Sequence, residues 1–273
     1  MRALLVLNQR SRHGLRDGEL VCRTLEQCGI ECERDPDAGS VAAVIAAGGD
    51  GTVISSVPLA LARGVPLGIV PLGTFNDLAR TLSIPLDARA ACSVIQRRRT
   101  RTIDVGRVNG VYFVNEASIG LSTRIARRQT PEVKRHFGAL GVLATALQSL
   151  AQTRPFRVEL QYDGARETFR TVQLTVANNA RFGGVFVREG AAIDDGWLDL
   201  YSVEVGNWLQ ALRVVRKIIT RDPSSGEGLR TRRSTRFTVH TRHAHHIAAD
   251  GEPAGMTPAS FEIVPRAIEI FVD

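Results

Sequence analysis

Residues 43–52, Ala-Val-Ile-Ala-Ala-Gly-Gly-Asp-Gly-Thr, join a run of small and branched apolar side chains to a loop rich in glycine. The apolar run predicts a buried strand, and a helix is predicted from Val53 to about Arg63. Gly48, Gly49 and Gly51 admit backbone conformations closed to other residues and let a ligand approach the main chain. Amides that open a helix lack intrahelical partners and carry the positive end of its dipole, so such a loop suits phosphate. Asp50 would repel phosphate in direct contact; an acid here fits either a cation that phosphate shares or a brace for the loop. A tight turn with no ligand explains this loop equally well while it is taken alone.

A second loop of the same construction follows. Val65–Val70 is a short apolar strand, and Pro71-Leu72-Gly73-Thr74-Phe75-Asn76-Asp77 leads into a helix near Leu78, with Asn76 or Asp77 as its N-cap. Two strand–loop–helix units in succession bring both loops to the carboxyl edge of one parallel sheet, where ligands bind in open α/β folds. Together the loops favour a phosphate site over two unrelated turns.

The rest of the chain must position them. Ala3–Leu7 reads as a first strand ending at Asn8, Leu15–Cys28 as a helix closed by Gly29, and Ile30–Arg34 as a further strand. Only Asp35–Val41 then separates that strand from the one at Ala42, whereas a parallel crossover usually needs a dozen residues or more. Either a crossover helix is missing or Ile30–Arg34 is not a parallel neighbour. Leu86–Arg99 is predicted helical and ends in Gln-Arg-Arg-Arg, a run explained by the helix dipole as well as by contact with a lipid surface. From Arg101 the texture is β: Asn109-Gly110 sits between alternating runs as a hairpin turn, with Asp104 where alternation would not require an acid. Residues 138–150 are apolar nearly all round, as a buried helix or, less simply, an acyl-chain lining. Phe156–Tyr162, Thr168–Ala177 and Trp197–Val203 alternate as strands, residues 207–220 read as a helix, and β texture resumes from Arg230. His240, His243, His245 and His246 do not share one strand face, so they read as solvated histidines and not a metal site.

Composition sets outer bounds. The 273 residues are 44% hydrophobic and 23% charged, which suits one large or two modest globular domains and argues against disorder. The formal net charge of +7 favours an anionic partner such as nucleotide or anionic lipid; no nucleic-acid module accompanies it. The four cysteines form neither a zinc pattern nor a disulfide framework, as expected of a cytoplasmic chain. The apolar run at Met1–Asn8 is too short for a signal peptide, and no stretch approaches the roughly 20 apolar residues that span a bilayer.

With Gly-Gly-Asp-Gly-Thr at 48–52 and Pro-Leu-Gly-Thr-Phe-Asn-Asp at 71–77, the chain resembles the catalytic domain of the diacylglycerol kinase family, which includes sphingosine and ceramide kinases and soluble bacterial lipid kinases. Phe113, Asn115, Ser118 and Gly120 match a further family pattern, and the motifs run in family order from Asn8 to Glu252. The resemblance implies an α/β nucleotide-binding domain over 1–104 with a Rossmann-like parallel sheet, akin to NAD kinases and phosphofructokinases. It implies a mainly antiparallel β lipid-substrate domain over 105–273, with the site in the cleft between. ATP and Mg2+ would be the cofactors, held by Asn8, Gly48, Gly49, Asp50, Gly51, Thr52, Gly73 and Thr74. Glu252, Asp50 and Asp77 would be catalytic, with Glu252 as base, and Asp77 and Asp104 would face the substrate. Asp195, with the main chain at Ala192 and Trp197, would bind a structural magnesium, although Asp194-Asp195-Gly196 is also merely a good turn. The expected partners are ATP, a lipid and an anionic membrane surface contacted peripherally, with a homodimer as one admissible assembly. Three departures stand against the family pattern: the short 35–41 connection, Ile54-Ser55 where relatives have Asn-Glu, and Phe75 where they have glycine. An NAD or sugar-phosphate kinase, and a non-catalytic lipid- or nucleotide-binding relative, remain the alternatives.

Overall fold

The structure, a computed structural model, describes residues 1–7, 14–37, 39–74, 76–120, 154–178, 181–182, 185–186, 192–205, 210, 213, 226 and 228–273. Asn8, Phe75 and the helices expected at 138–150 and 207–220 lie wholly or mostly outside the described residues. In chain order the first elements are β1 (Arg2–Leu7), α1 (Gly14–Gln27), β2 (Glu31–Glu33), β3 (Ala43–Gly48), α2 (Asp50–Arg63), β4 (Leu67–Pro71), α3 (Asp77–Thr81) and α4 (Ala88–Arg97). There follow β5 (Thr100–Val108), β6 (Val111–Phe113), β7 (Glu116–Gly120), β8 (Phe156–Tyr162), β9 (Ala165–Thr171), β10 (Gln173–Ala177), β11 (Arg181–Phe182) and β12 (Val185–Phe186). The last are β13 (Leu198–Val203), β14 (Leu229–Ser234), β15 (Arg236–Thr241), β16 (His246–Ala249), β17 (Glu252–Met256) and β18 (Ala259–Phe271). The chain divides into two compact units, Met1–Val105 with Val264–Asp273, and Gly106–Ile263.

In the first unit β2, β1, β3 and β4 lie side by side and parallel, and the end of β18 adds to β4 through Ile270 opposite Leu67. Every residue of β3 is buried, as a central strand covered on both faces requires. The β1→β2 and β3→β4 crossovers run in opposite directions across the sheet, and the right-handed rule then assigns α1 and α2 to opposite faces. Helix α4 lies against α1 and β4. The first unit runs to Val105 and takes in the final ten residues of the chain as well. The switch is local: within β18 Arg266 has φ 50°, and the buried carboxylate of Asp104 accepts its N–H at 2.6 Å.

The open question about the 35–41 connection has a clear outcome. Residues 31–33 are a parallel neighbour of β1, and the chain crosses to β3 over residues 34–42 with no helix among those described. Local hydrogen bonds replace the helix. Glu33 accepts the amides of Arg34 and Asp35 and the Arg2 guanidinium, Asp35 accepts the amide of Asp37, and Arg63 at the end of α2 donates to the Pro36 carbonyl. The Asp35 amide, the Arg2 guanidinium and the Arg34 amide hold the Glu33 carboxyl down at about 2.

The second unit contains the antiparallel sheet β14-β13-β10-β7-β16-β17, and separately β15 pairs with β8 and with the start of β18, while β9 pairs with β8. Phe113, Phe237, Phe261, Ile119 and Leu160 are fully buried between these strands. Residues 109 and 110 form the expected hairpin turn, with φ of 48° and 88°, and the Phe113 ring packs over its cross-strand partner Gly106, where a Cβ would stand 2.1 Å from it. The strand expected over 168–177 is two strands, β9 and β10, broken at Val172. Part of the arginine excess is engaged in ion pairs: Arg230 with Glu167 and Glu204, Arg232 with Glu167, and in the first unit Arg97 with Asp273.

Candidate functional site

Strands β3 and β4 pair in register to their ends, with Gly48 opposite Pro71, so the two glycine loops leave one sheet edge side by side. The Leu72 amide donates to the Gly48 carbonyl at 2.9 Å. Beyond that bond the loops meet backbone to backbone. A Cβ on Gly49 would lie 3.2 Å from the Gly73 Cα, and one on Gly73 would lie 2.4 Å from the Gly49 Cα and 2.8 Å from Asn76 Oδ1. These two glycines are needed because the loops approach each other, a reason distinct from ligand approach. Gly51 has no such reason: it sits in the first turn of α2, its φ is not in the left-handed region, and a Cβ there would meet nothing within 4 Å.

Helix α2 starts at Asp50, earlier than the expected Val53, because an acid in the first turn is stabilised by the helix dipole despite the flanking glycines. Asp50 then reaches across to the second loop. Its Oδ2 accepts the amide of Asn76 at 2.9 Å and its Oδ1 the amide of Asp77 at 2.7 Å. Helix α3 is only five residues long, and its N-cap, Asn76, is buried with φ 50° and makes no side-chain cap of its own. The Asn76 side chain instead braces its own loop, accepting from Gly73 N–H at 3.0 Å and donating to Gly73 C=O at 2.8 Å. Asp50 therefore caps α3 from another helix. Thr52 is buried, Thr74 is exposed, and Asp77 occupies the first helical position of α3.

The remaining candidates lie elsewhere. Asp104 is buried and serves Arg266, as described above. In the second unit Glu252 is exposed at the first position of β17, after the Asp250-Gly251 turn. The resemblance implies a magnesium at Ala192, Asp195 and Trp197, but the donors present do not fit one. Asp195 Oδ1 accepts the Trp197 amide at 3.0 Å; Oδ2 accepts the Ala192 amide at 3.1 Å and the Arg233 guanidinium, which also lies over the Trp197 ring. A cation needs oxygens turned toward it, whereas here N–H groups and a guanidinium already neutralise the carboxylate. No group of three or more His, Cys, Asp or Glu side chains that could hold a metal occurs among the described residues. Sequence reading missed Arg233, Asn76's brace and the bonds of Asp250, since each partner is distant in sequence or bonded through the main chain.

The chain thus carries a parallel sheet presenting two glycine loops and, in its second unit, an antiparallel β sheet. Residues 19–108 match the diacylglycerol kinase catalytic domain and residues 115–272 the YegS C-terminal NAD kinase beta sandwich-like domain. The chain is 31% identical over 231 residues to a diacylglycerol kinase of Bacillus subtilis, covering 83% of this chain and 76% of that one. It is 29% identical over 234 residues to an uncharacterized protein of Synechocystis sp., covering 84% of this chain but 54% of that protein's length. A crystal structure of a diacylglycerol kinase from Bacillus anthracis str. Sterne has the same fold, with TM-score 0.77 and 21% identity over 100% of this chain and 96% of that one. The chain belongs to the diacylglycerol kinase family of lipid kinases.

Asp50→Asn places an amide NH2 against a backbone N–H and should cost about 1–3 kcal/mol, the range for an unsatisfied buried donor. Urea unfolding reads that loss, and hydrogen exchange should accelerate selectively at Asn76 and Asp77; unchanged exchange there would remove the cap. A second expectation concerns metal. Chelator should leave the melting temperature of the nucleotide-free protein unchanged, and a fall restored by magnesium would show that a cation does enter at Asp195.

Proposed function

We propose that the protein is an ATP-dependent kinase acting on a hydroxyl of a diacylglycerol-like lipid. The observation that carries the phosphate site is Gly51. Glycine in a helix costs about 1 kcal/mol relative to alanine, and here neither φ nor packing calls for it. Close approach of a phosphate to the main chain does. The amides opening α2, with Gly48, Gly49 and Thr52 behind them and Gly73 and Thr74 beside them, would hold the phosphate oxygens. The site was also expected to include Asn8 at the end of the first strand.

Such transfers depend on positioning and charge neutralisation. The lipid hydroxyl oxygen bonds to the γ-phosphorus as the bond to the β–γ bridging oxygen breaks and ADP leaves. Glu252 accepts the hydroxyl proton, and Asp77 orients the acceptor. Magnesium arriving with ATP supplies charge neutralisation on the phosphates. A carboxylate offers about four lone-pair sites, so Asp50, with one amide on each oxygen, keeps acceptor capacity for that ion's water shell. Asp104, the other expected substrate residue, is buried, and its carboxylate accepts the Arg266 amide. The net charge of +7 favours reversible contact with an anionic membrane surface from the cytoplasm, where the lipid would be met.

Labelled transfer from ATP to a panel of lipid alcohols, with NAD as a parallel acceptor, tests the assignment; label on NAD alone, or on nothing, would overturn it. Gly51→Ala should stabilise the free protein by about 0.5–1 kcal/mol, the helix-propensity gain, while weakening ATP binding in calorimetry. Normal affinity would move the phosphates away from this loop. Glu252→Gln should lower the single-turnover rate by roughly 10²–10⁴-fold, the usual worth of a general base, with ATP affinity nearly unchanged. A full-rate variant would eliminate the base.

A further inference from the structure

Residues 114–116, running from the end of β6 into the first residue of β7, form a largely buried stretch whose backbone polar groups must all find partners. They find them in two side chains and their backbones. The Asp250 carboxylate accepts three consecutive amides, Val114 at 2.6 Å on Oδ2 and Asn115 and Glu116 at 2.9 Å each on Oδ1. The Asp250 amide donates to the Glu116 carbonyl at 2.8 Å. Asn178 takes the other two carbonyls, donating its backbone N–H to Asn115 and its side-chain amide to Val114. Every N–H and C=O of the stretch is accounted for.

Asp250 opens the two-residue turn between β16 and β17, with φ 48° followed by 88° at Gly251, and Glu252 follows directly, paired with Ala249. The carboxylate is enclosed although the residue as a whole is half-buried. That enclosure pushes its pKa up to about 6, against the downward pull of the three amides and of the Asn115 side chain. A non-glycine residue in the left-handed region with a buried charge is costly unless something specific is held in return. A surface turn needs neither, since Asn-Gly or Gly-Gly makes the same turn with no buried charge. What the arrangement does hold is the turn carrying Glu252, tied to the start of β7.

We propose that Asp250 is a positioning residue for the Glu252 base, its carboxylate clamping the β16–β17 turn to the three amides of residues 114–116. The inference rests on the assignment of Glu252 above. Asp250 touches no reactant; its effect passes through the placement of its neighbour, and a displacement of about 1 Å can cost 10²-fold in rate.

Asp250→Asn is the informative variant. The retained Oδ1 keeps the Asn115 and Glu116 amides, and only the Val114 contact is replaced by a donor facing a donor, so the chain should still fold. Expected are a fall in kcat of about 10- to 100-fold, with unchanged KM for ATP and unchanged ATP affinity. Paired with Glu252→Gln, the two losses should not add: in the Glu252→Gln background, Asp250→Asn should have almost no further effect. An equal loss in both backgrounds, lost ATP binding, or full rate in the single variant would each overturn the proposal. A reading independent of activity comes from nuclear magnetic resonance. The amide protons of Val114, Asn115 and Glu116 should all be shifted downfield in the wild type, and that of Val114 should lose its shift in Asp250→Asn; if it does not, there is no clamp. No transfer by the wild type, or full rate in Glu252→Gln, is a failure of the functional assignment, visible before the cycle is read.

Discussion

The interaction on which the first unit's candidate site depends is the carboxylate of Asp50 on the amides of Asn76 and Asp77. Helix α3 is far too short to sustain itself, since nucleation is unfavourable and few bonds follow it. Its own cap residue is turned away to brace Gly73. A cap must therefore be imported, and an anion at a helix N-terminus is favoured by the dipole as well as by hydrogen bonding. Because the donor of that anion opens α2, the two loops cannot move apart without exposing amides. Gly49 against Gly73 sets the distance at which this works. Gly49-Asp50 and Gly73 to Asp77 thus form one constraint written in two places, and rigidity of the loops follows from it.

That linkage explains which parts of the site were legible. Glycine loops after apolar strands announce themselves locally, and so do the parallel strands β3 and β4, whose register then places the loops together. The hairpin at Asn109-Gly110 is equally local. What Asp50 does is not. Its type admitted a cation anchor or a brace, and only the pairing of sequence-distant segments shows that both oxygens engage main-chain amides. The start of α2 was misjudged for a related reason: Gly49 and Gly51 carry poor helix propensity, and the stabilising dipole term belongs to a helix that has to be assumed first.

The same limit governs the second unit and the chain's end. β texture from Arg230 onward is legible, and within it Ala259–Phe271 forms one strand, but nothing local says that the end of this strand pairs with Leu67. Asp194-Asp195-Gly196 reads as a metal turn or a plain turn with equal ease. Arg233, distant in sequence, tips it toward an arginine-neutralised turn. The missing crossover helix was a correct observation about composition, and the chain bridges the gap with acid-capped turns around Glu33 and Asp35.

A pattern joins these cases. Asp50, Asp104 and Asp195 invited chemical or turn readings, and they, like Asp250, accept main-chain N–H groups at irregular places in the backbone: a helix start, a left-handed residue within a strand, a tight loop, a junction between strands. A short carboxylate suits that task because it offers several acceptor sites and no donor, and its charge strengthens each bond. Glutamate is one methylene longer and loses more rotamer freedom when fixed, so it suits such local braces less well. Glu252 differs from the four in this respect as well as in exposure. Its side chain stands on a turn whose neighbour does the bracing, which is the division of labour the proposed general base would require: one acid held still so that the next could exchange a proton.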